Sequence, residues 1–167
     1  DLDILDLDKM DRQQMTLFRE RQQVSSVLAH AIALNQPYAK QYDVRLEKDD
    51  IDTALDIDVD SDRIQQVLGN LVSNAAKFSH AGGTVRLNAQ AQGNEVVISV
   101  ADQGVGIPKD FQDKVFDRFT QSGSATTRHK PGSGLGMSIA RSLVEAHGGS
   151  LRFVSTEGVG TTFYLHL

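Results

Sequence analysis

Asp102-Gln103-Gly104-Val105-Gly106-Ile107 and Gly132-Ser133-Gly134-Leu135-Gly136 bracket the stretch on which the reading of this chain turns. Between them lie Phe116-Asp117-Arg118-Phe119 and a polar run, 121–130, without apolar periodicity. Asp102 follows the strand expected at 95–101. A carboxylate at a strand end accepts a hydrogen bond while Gly104 and Gly106 keep the backbone close to a flat ligand, and an adenine amino group is a suitable donor. The plain alternative is an Asp in a turn, followed by glycines that the turn needs. The second cluster opens a helix, where exposed N–H groups and the helix N-terminus make a natural phosphate cradle. It is not a Walker A motif, because no Gly-Lys-Ser/Thr follows, and not a Rossmann fingerprint, because no strand leads into it. Arg128 and Lys130 stand just upstream, where they could contact phosphates. His129 reads as a loop histidine, and histidines 30, 80, 147 and 166 as surface or packing residues. Phe116 and Phe119 read as anchors holding the loop in the core, as a hinged lid needs.

The wall opposite this stretch is a helix expected at 61–79. Ile64, Val67, Leu68, Leu71, Val72 and Ala75 form one broad apolar face, capped by Asp60 or Ser61. Asn70, Asn74 and Lys77 form a second row, spaced by four and three. At about 100° per residue the row lies roughly a third of a turn from the stripe's centre, at the core's edge. Asn is a mediocre helix former, so two on one line need a reason. A solvated flank is the bland one, and a ligand the other.

The remaining elements follow from periodicity and turn residues. Residues 1–10 (apolar at 2, 4, 5 and 7) read as the end of a helix, implying that the natural chain was cut there. A short strand is expected within 15–24. A helix follows from Ser25 or Ser26 to about Tyr42, striped by Val27, Leu28, Ala31, Leu34, Tyr38 and Ala39, with Pro37 kinking it or ending it early. Short strands are expected at 44–47 and 54–59, a hairpin at 84–91 and 95–101, and a short helix from Pro108 to about Val115. A last helix should end at Gly148-Gly149, followed by a hairpin at 150–155 and 161–167.

The totals set bounds. The chain has 167 residues, no Cys and a net charge of −5, so it fits one compact domain without disulfides or thiolate metal sites. Residues 1–60 carry 14 acidic and 7 basic residues, and residues 61–167 carry 8 and 10. Bulk acidity argues against a nucleic-acid partner, and the mildly positive second part suits a polyanionic small ligand. No apolar run approaches the roughly 18 residues of a membrane span.

Taken together, the order Asn-x-x-x-Asn-x-x-Lys, Asp-x-Gly-x-Gly, Phe-Asp-Arg-Phe, Gly-x-Gly-x-Gly and Gly-x-Gly-Thr-Thr-Phe resembles the catalytic and ATP-binding domain of bacterial sensor histidine kinases. These belong to the ATPase superfamily shared with gyrase B, Hsp90 and MutL. The resemblance covers about residues 20–167, with residues 1–19 similar to the end of the dimerisation and phosphoacceptor helix plus a linker. It implies a Bergerat-type two-layer α/β sandwich, a mixed sheet of about five strands with three helices on one face. It implies Mg²⁺ and ATP as cofactors. Asn70 and Asn74 would contact Mg²⁺ and the triphosphate, and Lys77 the phosphate, with Asn70 and Lys77 the catalytic residues. Phe78 and Phe119 would lie by the nucleotide, and Asp102 would bind the adenine amino group. Gly104 and Gly106 would shape the base pocket, and Gly132, Gly134 and Gly136 would hold phosphates, with Arg128, Lys130, Ile107, Ser133, Leu135 and Thr162 also among the nucleotide-binding residues. Asn70 stands where ATP-hydrolysing relatives carry a glutamate base, which fits phosphoryl transfer to a protein side chain. The chain departs from the pattern in one respect, because it has no phosphoacceptor His followed by Glu or Asp and then Arg-Thr-Pro. The implied partners are therefore a phosphoacceptor domain of the parent and, indirectly, a response regulator. The fragment would be a cytoplasmic monomer, and the parent a homodimer that could be anchored in the inner membrane. A nucleotide-binding regulatory module and a gyrase-like ATPase are the rival readings.

Overall fold

The computed structural model describes residues 16–117 and 136–167. The expectations for residues 1–15, and for Phe119, Arg128, Lys130, Gly132, Ser133, Gly134 and Leu135, lie outside the described residues.

The elements run β1 (Arg19–Gln23), α1 (Val24–Gln41), β2 (Arg45–Lys48), β3 (Asp56–Asp60), α2 (Ser61–Phe78), β4 (Thr84–Gln92), β5 (Glu95–Asp102), a 3₁₀ turn (Gln112–Lys114), α3 (Gly136–Ala146), β6 (Ser150–Thr156) and β7 (Gly160–His166). The main sheet has the order β2-β4-β5-β7-β6, with β2 parallel to β4 and the other pairs antiparallel. It is the mixed five-stranded sheet expected, covered on one face by three helices. α1 packs on β2, α2 on β4 and β5, and α3 on β6, with α2 between the other two helices.

α2 is the keel of the helix layer. Ile64, Val67, Leu68, Leu71 and Val72 are all at most 1% exposed, and each such aliphatic side chain contributes about 1.5–3 kcal/mol by leaving water. They meet Leu87, Ile98, Val100 and Leu165, the inward-pointing residues of β4, β5 and β7, in one core. Asp60 caps the helix, its carboxylate accepting from Arg63 N at 3.2 Å, as expected. α3 ends as its glycines predict: Gly148 has φ of +80°, and Gly149 N bonds to Val144 O.

Several elements differ from the sequence expectation. β1 and β3 pair antiparallel as a separate two-stranded ribbon and do not join the main sheet. β1 begins at Arg19, and Phe18 N bonds to Asp60 Oδ2 at 2.9 Å. α1 starts at Val24 behind Gln23, and Ser26 donates to the Gln23 side chain instead of capping. Pro37 neither ends α1 nor keeps it from reaching Gln41, while Leu34, expected in the stripe, is 56% exposed. After Pro108 there is only the 3₁₀ turn. No described helix is long and apolar enough to cross a membrane.

Candidate functional site

α2 carries Asn70, Asn74, Lys77 and Phe78 over its last three turns, all half-buried beside the apolar stripe. Asn70 Nδ2 donates to Gly136 O at 3.0 Å, which fixes the amide's orientation and leaves Oδ1 without a partner among the described residues. That bond ties the middle of α2 to the first turn of α3, the helix that follows the second glycine cluster. A Cβ at Gly136 would stand 3.8 Å from Asn70 Cγ, an ordinary contact, so the two helices meet closely here without requiring glycine. The amide of Asn74, one turn later, has no hydrogen-bond partner among the described residues. Lys77 Nζ lies 5.2 Å from the centroid of the Phe78 ring.

Opposite this helix end, three side chains form a row across three strands. The ladders pair Asp102 of β5 with Thr161 of β7, and Thr161 with Ser155 of β6. Directly paired residues share a face, and alternation with Val100, Phe163 and Phe153 puts this row on the helix side of the sheet. Asp102 Oδ1 accepts from Gly104 N at 2.9 Å and Thr161 N at 3.2 Å. Oδ2 has no partner among the described residues. Burial pushes the Asp102 carboxyl above its ordinary range, against the two backbone N–H groups, which act to lower it.

Thr162 is a correction. It pairs with Ala101 and Val154 and so lies on the opposite face from Asp102, where Val154 is 58% exposed. Thr161, only 6% exposed, is the threonine that meets Asp102. The parity of β7 was readable, since Phe163 and Leu165 are its obvious core residues and Thr161 shares their face. The Gly-x-Gly-Thr-Thr pattern alone does not choose between the two.

The glycines here serve chain-to-chain approach. A Cβ on Gly104 would stand 2.8 Å from Phe78 C and closer still to Phe78 O, while Val105 N donates to that same carbonyl at 3.2 Å. Gly106 (φ +73°) lies against Thr156 and Glu157, and Gly160 (φ +149°) against Asp102 and Gln103. The loop after β5 is therefore clamped between the end of α2 and the β6–β7 turn. Ile107 N donates to Ser155 Oγ at 2.8 Å, so Ile107 is held by the sheet. Phe116 anchors as expected, its ring centroid 5.8 Å from Phe153 and 6.4 Å from Phe163. His147 is a buried packing residue: Nδ1 donates to Leu143 O and Nε2 accepts from Asp60 N, joining the end of α3 to the start of α2.

The architecture defines the class: a two-layer sandwich whose central helix carries an amide row, with a carboxylate at a strand end and the loop that follows it clamped against the end of that helix. Residues 59–167 match the family of histidine kinase-, DNA gyrase B-, and HSP90-like ATPases, and the chain belongs to this family. It is 40% identical over 162 residues to the sensor histidine kinase WalK of Bacillus subtilis strain 168, covering 96% of this chain and 26% of that protein. It is 40% identical over 152 residues to the sensor histidine kinase AruS of Pseudomonas aeruginosa, covering 85% of this chain and 15% of that one. The chain thus spans about a quarter or less of the length of these relatives. Full-length ShkA in complex with AMPPNP is 28% identical, with a TM-score of 0.79 over 96% of this chain and 34% of that one. The nucleotide-free catalytic domain of histidine kinase ThkA, at 24% identity and a TM-score of 0.77, covers 90% of this chain and 95% of that one and bears on the fold alone. The chain carries a nucleotide-binding fold of the kind found in sensor histidine kinases.

Proposed function

We propose that this chain is the catalytic and ATP-binding domain of a two-component sensor histidine kinase, handing the γ-phosphoryl group of ATP to a histidine on a separate domain of its parent. The observation that carries the reading is the half-used carboxylate of Asp102: Oδ1 is pinned by two backbone N–H groups, and Oδ2 is left to accept from an adenine amino group. Phe78 and Ile107 flank the base, and Thr161 completes the base edge. Lys77 and the backbone at the start of α3 face the triphosphate. Phe119, Arg128, Lys130, Gly132, Ser133, Gly134 and Leu135 belong to the same proposal on sequence grounds.

The donor set fits Mg²⁺. Asn70 Oδ1 and the Asn74 amide offer neutral oxygens, and among the described residues no group of three or more His, Asp or Glu gathers into a site of its own. A small hard cation held by two amides would take its other ligands from phosphate and water. When bound, it would neutralise phosphate charge. Asn70 and Asn74 would orient the triphosphate. Asn70 has no basic group with which to deprotonate water, which supports transfer over hydrolysis. In the transfer, an imidazole nitrogen forms a bond to the γ-phosphorus as the bond to the β–γ bridging oxygen breaks, and ADP leaves. Positioning and charge neutralisation supply most of the catalysis.

The partner would be the parent's phosphoacceptor and dimerisation domain, with a response regulator downstream, a cytoplasmic setting, and this domain monomeric by itself. Residues 1–19 would lead back to that phosphoacceptor domain. The test is to mix the chain with its parent's phosphoacceptor domain and γ-labelled ATP. Label on the histidine supports the proposal. Measured ATP binding without transfer indicates a regulatory module, and steady phosphate release from the chain alone indicates a gyrase-like ATPase.

A further inference from the structure

Ser155 lies on β6, one strand removed from Asp102 across β7, and belongs to no motif singled out in the sequence. Its hydroxyl meets three groups. Ile107 N donates to Oγ at 2.8 Å, Gly160 O lies at 3.2 Å, and Thr161 Oγ1 lies at 2.8 Å. Gln112 braces the same joint, its Nε2 reaching Ile107 O at 3.1 Å and Ser155 O at 3.5 Å.

A serine hydroxyl has one proton and two lone pairs. One lone pair takes the Ile107 N–H. All three contacts are satisfied at once in a single arrangement: Ser155 O–H donates to Gly160 O, and Thr161 O–H donates to the second lone pair of Ser155. In that arrangement the Thr161 proton is committed to Ser155. Thr161 Oγ1 then offers only lone pairs, on the residue paired with Asp102, whose Oδ2 also only accepts.

We propose that Ser155 is a positioning residue for base selection, which holds Thr161 as a hydrogen-bond acceptor so that the base edge meets two acceptors and an amino-bearing purine is preferred over a 6-oxo purine. The proposal rests on the reading that Asp102 and Thr161 meet the base. The two hydrogens of an amino group can be taken by the two acceptors, whereas a 6-oxo purine puts a third acceptor at that position and offers only its ring N1–H, so at least one of Asp102 Oδ2 and Thr161 Oγ1 stays unpaired in a partly buried site. Ser155 touches no ligand itself. It acts through Thr161 and through Ile107, which it fixes in the loop after β5.

The experiment measures dissociation constants for ATP and inosine triphosphate by titration calorimetry, with thermal melts, for the parent chain, Ser155→Ala, Ser155→Thr, Thr161→Val and Ser155→Ala combined with Thr161→Val. The parent is expected to prefer ATP. Ser155→Ala should weaken ATP binding by about three- to tenfold, the worth of one neutral hydrogen bond, while inosine triphosphate changes little. Ser155→Thr, which restores the hydroxyl, should recover most of the preference. In the Thr161→Val background, Ser155→Ala should leave the ATP to inosine triphosphate ratio unchanged, because the proton it controls is already gone. Equal weakening of both nucleotides by Ser155→Ala, or an additive effect in the double variant, would show a structural role only and overturn the proposal. Should Ser155→Ala fail to fold, loss of the preference in Ser155→Thr, with an unchanged melt, would also overturn it. A parent chain that binds both nucleotides equally would overturn the base-edge reading and this inference together.

Discussion

Replacing Asp102 with Asn tests the adenine reading with little disturbance elsewhere. The amide oxygen can take over the bonds from Gly104 N at 2.9 Å and Thr161 N at 3.2 Å, so the loop and the β5–β7 ladder keep their tie. The other atom changes from an acceptor to an NH₂ donor, facing an adenine amino group that also donates. The loss is a charge-assisted hydrogen bond, about 1.5–3 kcal/mol, or roughly 10- to 160-fold in affinity. Stability should move by less than about 1 kcal/mol, since the weaker bonds to a neutral amide are offset by escape from the burial that opposes the charge. The assay is titration calorimetry with ATP at neutral pH, with a circular dichroism melt on each protein. An affinity within threefold of the parent would remove Asp102 from the base. Affinity lost together with a collapsed melt would make it a structural residue. The pH dependence gives a second handle. The folded carboxyl sits above its ordinary 3.8, so as pH falls it takes a proton earlier than an exposed Asp would. Nucleotide affinity should decline over that range in the parent and stay flat in Asp102→Asn. For stability the sign is opposite, because a raised folded value means that protonating this group favours the folded state.

Asn74→Ala should reduce affinity measured with Mg²⁺ and leave affinity measured in a chelator unchanged; equal losses in both would refute the metal role. Gly104→Ala drives a Cβ into the backbone at Phe78, which cannot yield like a side-chain tip, so it should cost about 1–3 kcal/mol and weaken ATP binding as the loop parts from α2. Unchanged urea unfolding and unchanged affinity would contradict the clamp. Asp60→Ala removes the α2 cap and the tie from Phe18 N, and should cost about 1–2 kcal/mol at neutral pH. Burial opposes the Asp60 charge, but bonds from Phe18 and Arg63 N–H and the nearby Arg63 guanidinium bring the carboxyl below 3.8. Its stabilisation is therefore present above that value and lost as pH falls through the lower folded value, so the parent and Asp60→Ala should converge in acid. A constant gap across that window would refute the assignment.

What the sequence decided was local. The stripe from Ile64 to Ala75 states a helix because 3.6-residue periodicity belongs to one segment, and the amide row beside it comes with the same period. The Gly148-Gly149 stop and the β4–β5 hairpin are local for the same reason, although β4 runs one residue beyond the expected 84–91 and leaves Gly93-Asn94 as a two-residue turn. Motif order was enough to carry the family resemblance, since turns that bring backbone close to another segment or to a ligand need glycine wherever they stand. The tertiary structure decided what depends on residues far apart in the chain. Alternation puts Thr161 on the core face, but that it stands directly opposite Asp102 is set by the register of β7 on β5, a partnership 59 residues apart. That β3 pairs with β1 and leaves the main sheet depends on a strand some forty residues upstream. Leu34 had the right period for the core, but α1 turns it to solvent. Gly104 and Gly106 looked like wall for a ligand, and the packing shows Phe78 and Thr156 as the reason for them. Ser155 carried no motif at all, because its place is defined only when three strands and a loop meet. Periodicity and turn chemistry are properties of a segment, whereas register and close approach are properties of pairs of segments, and this site is assembled from such pairs.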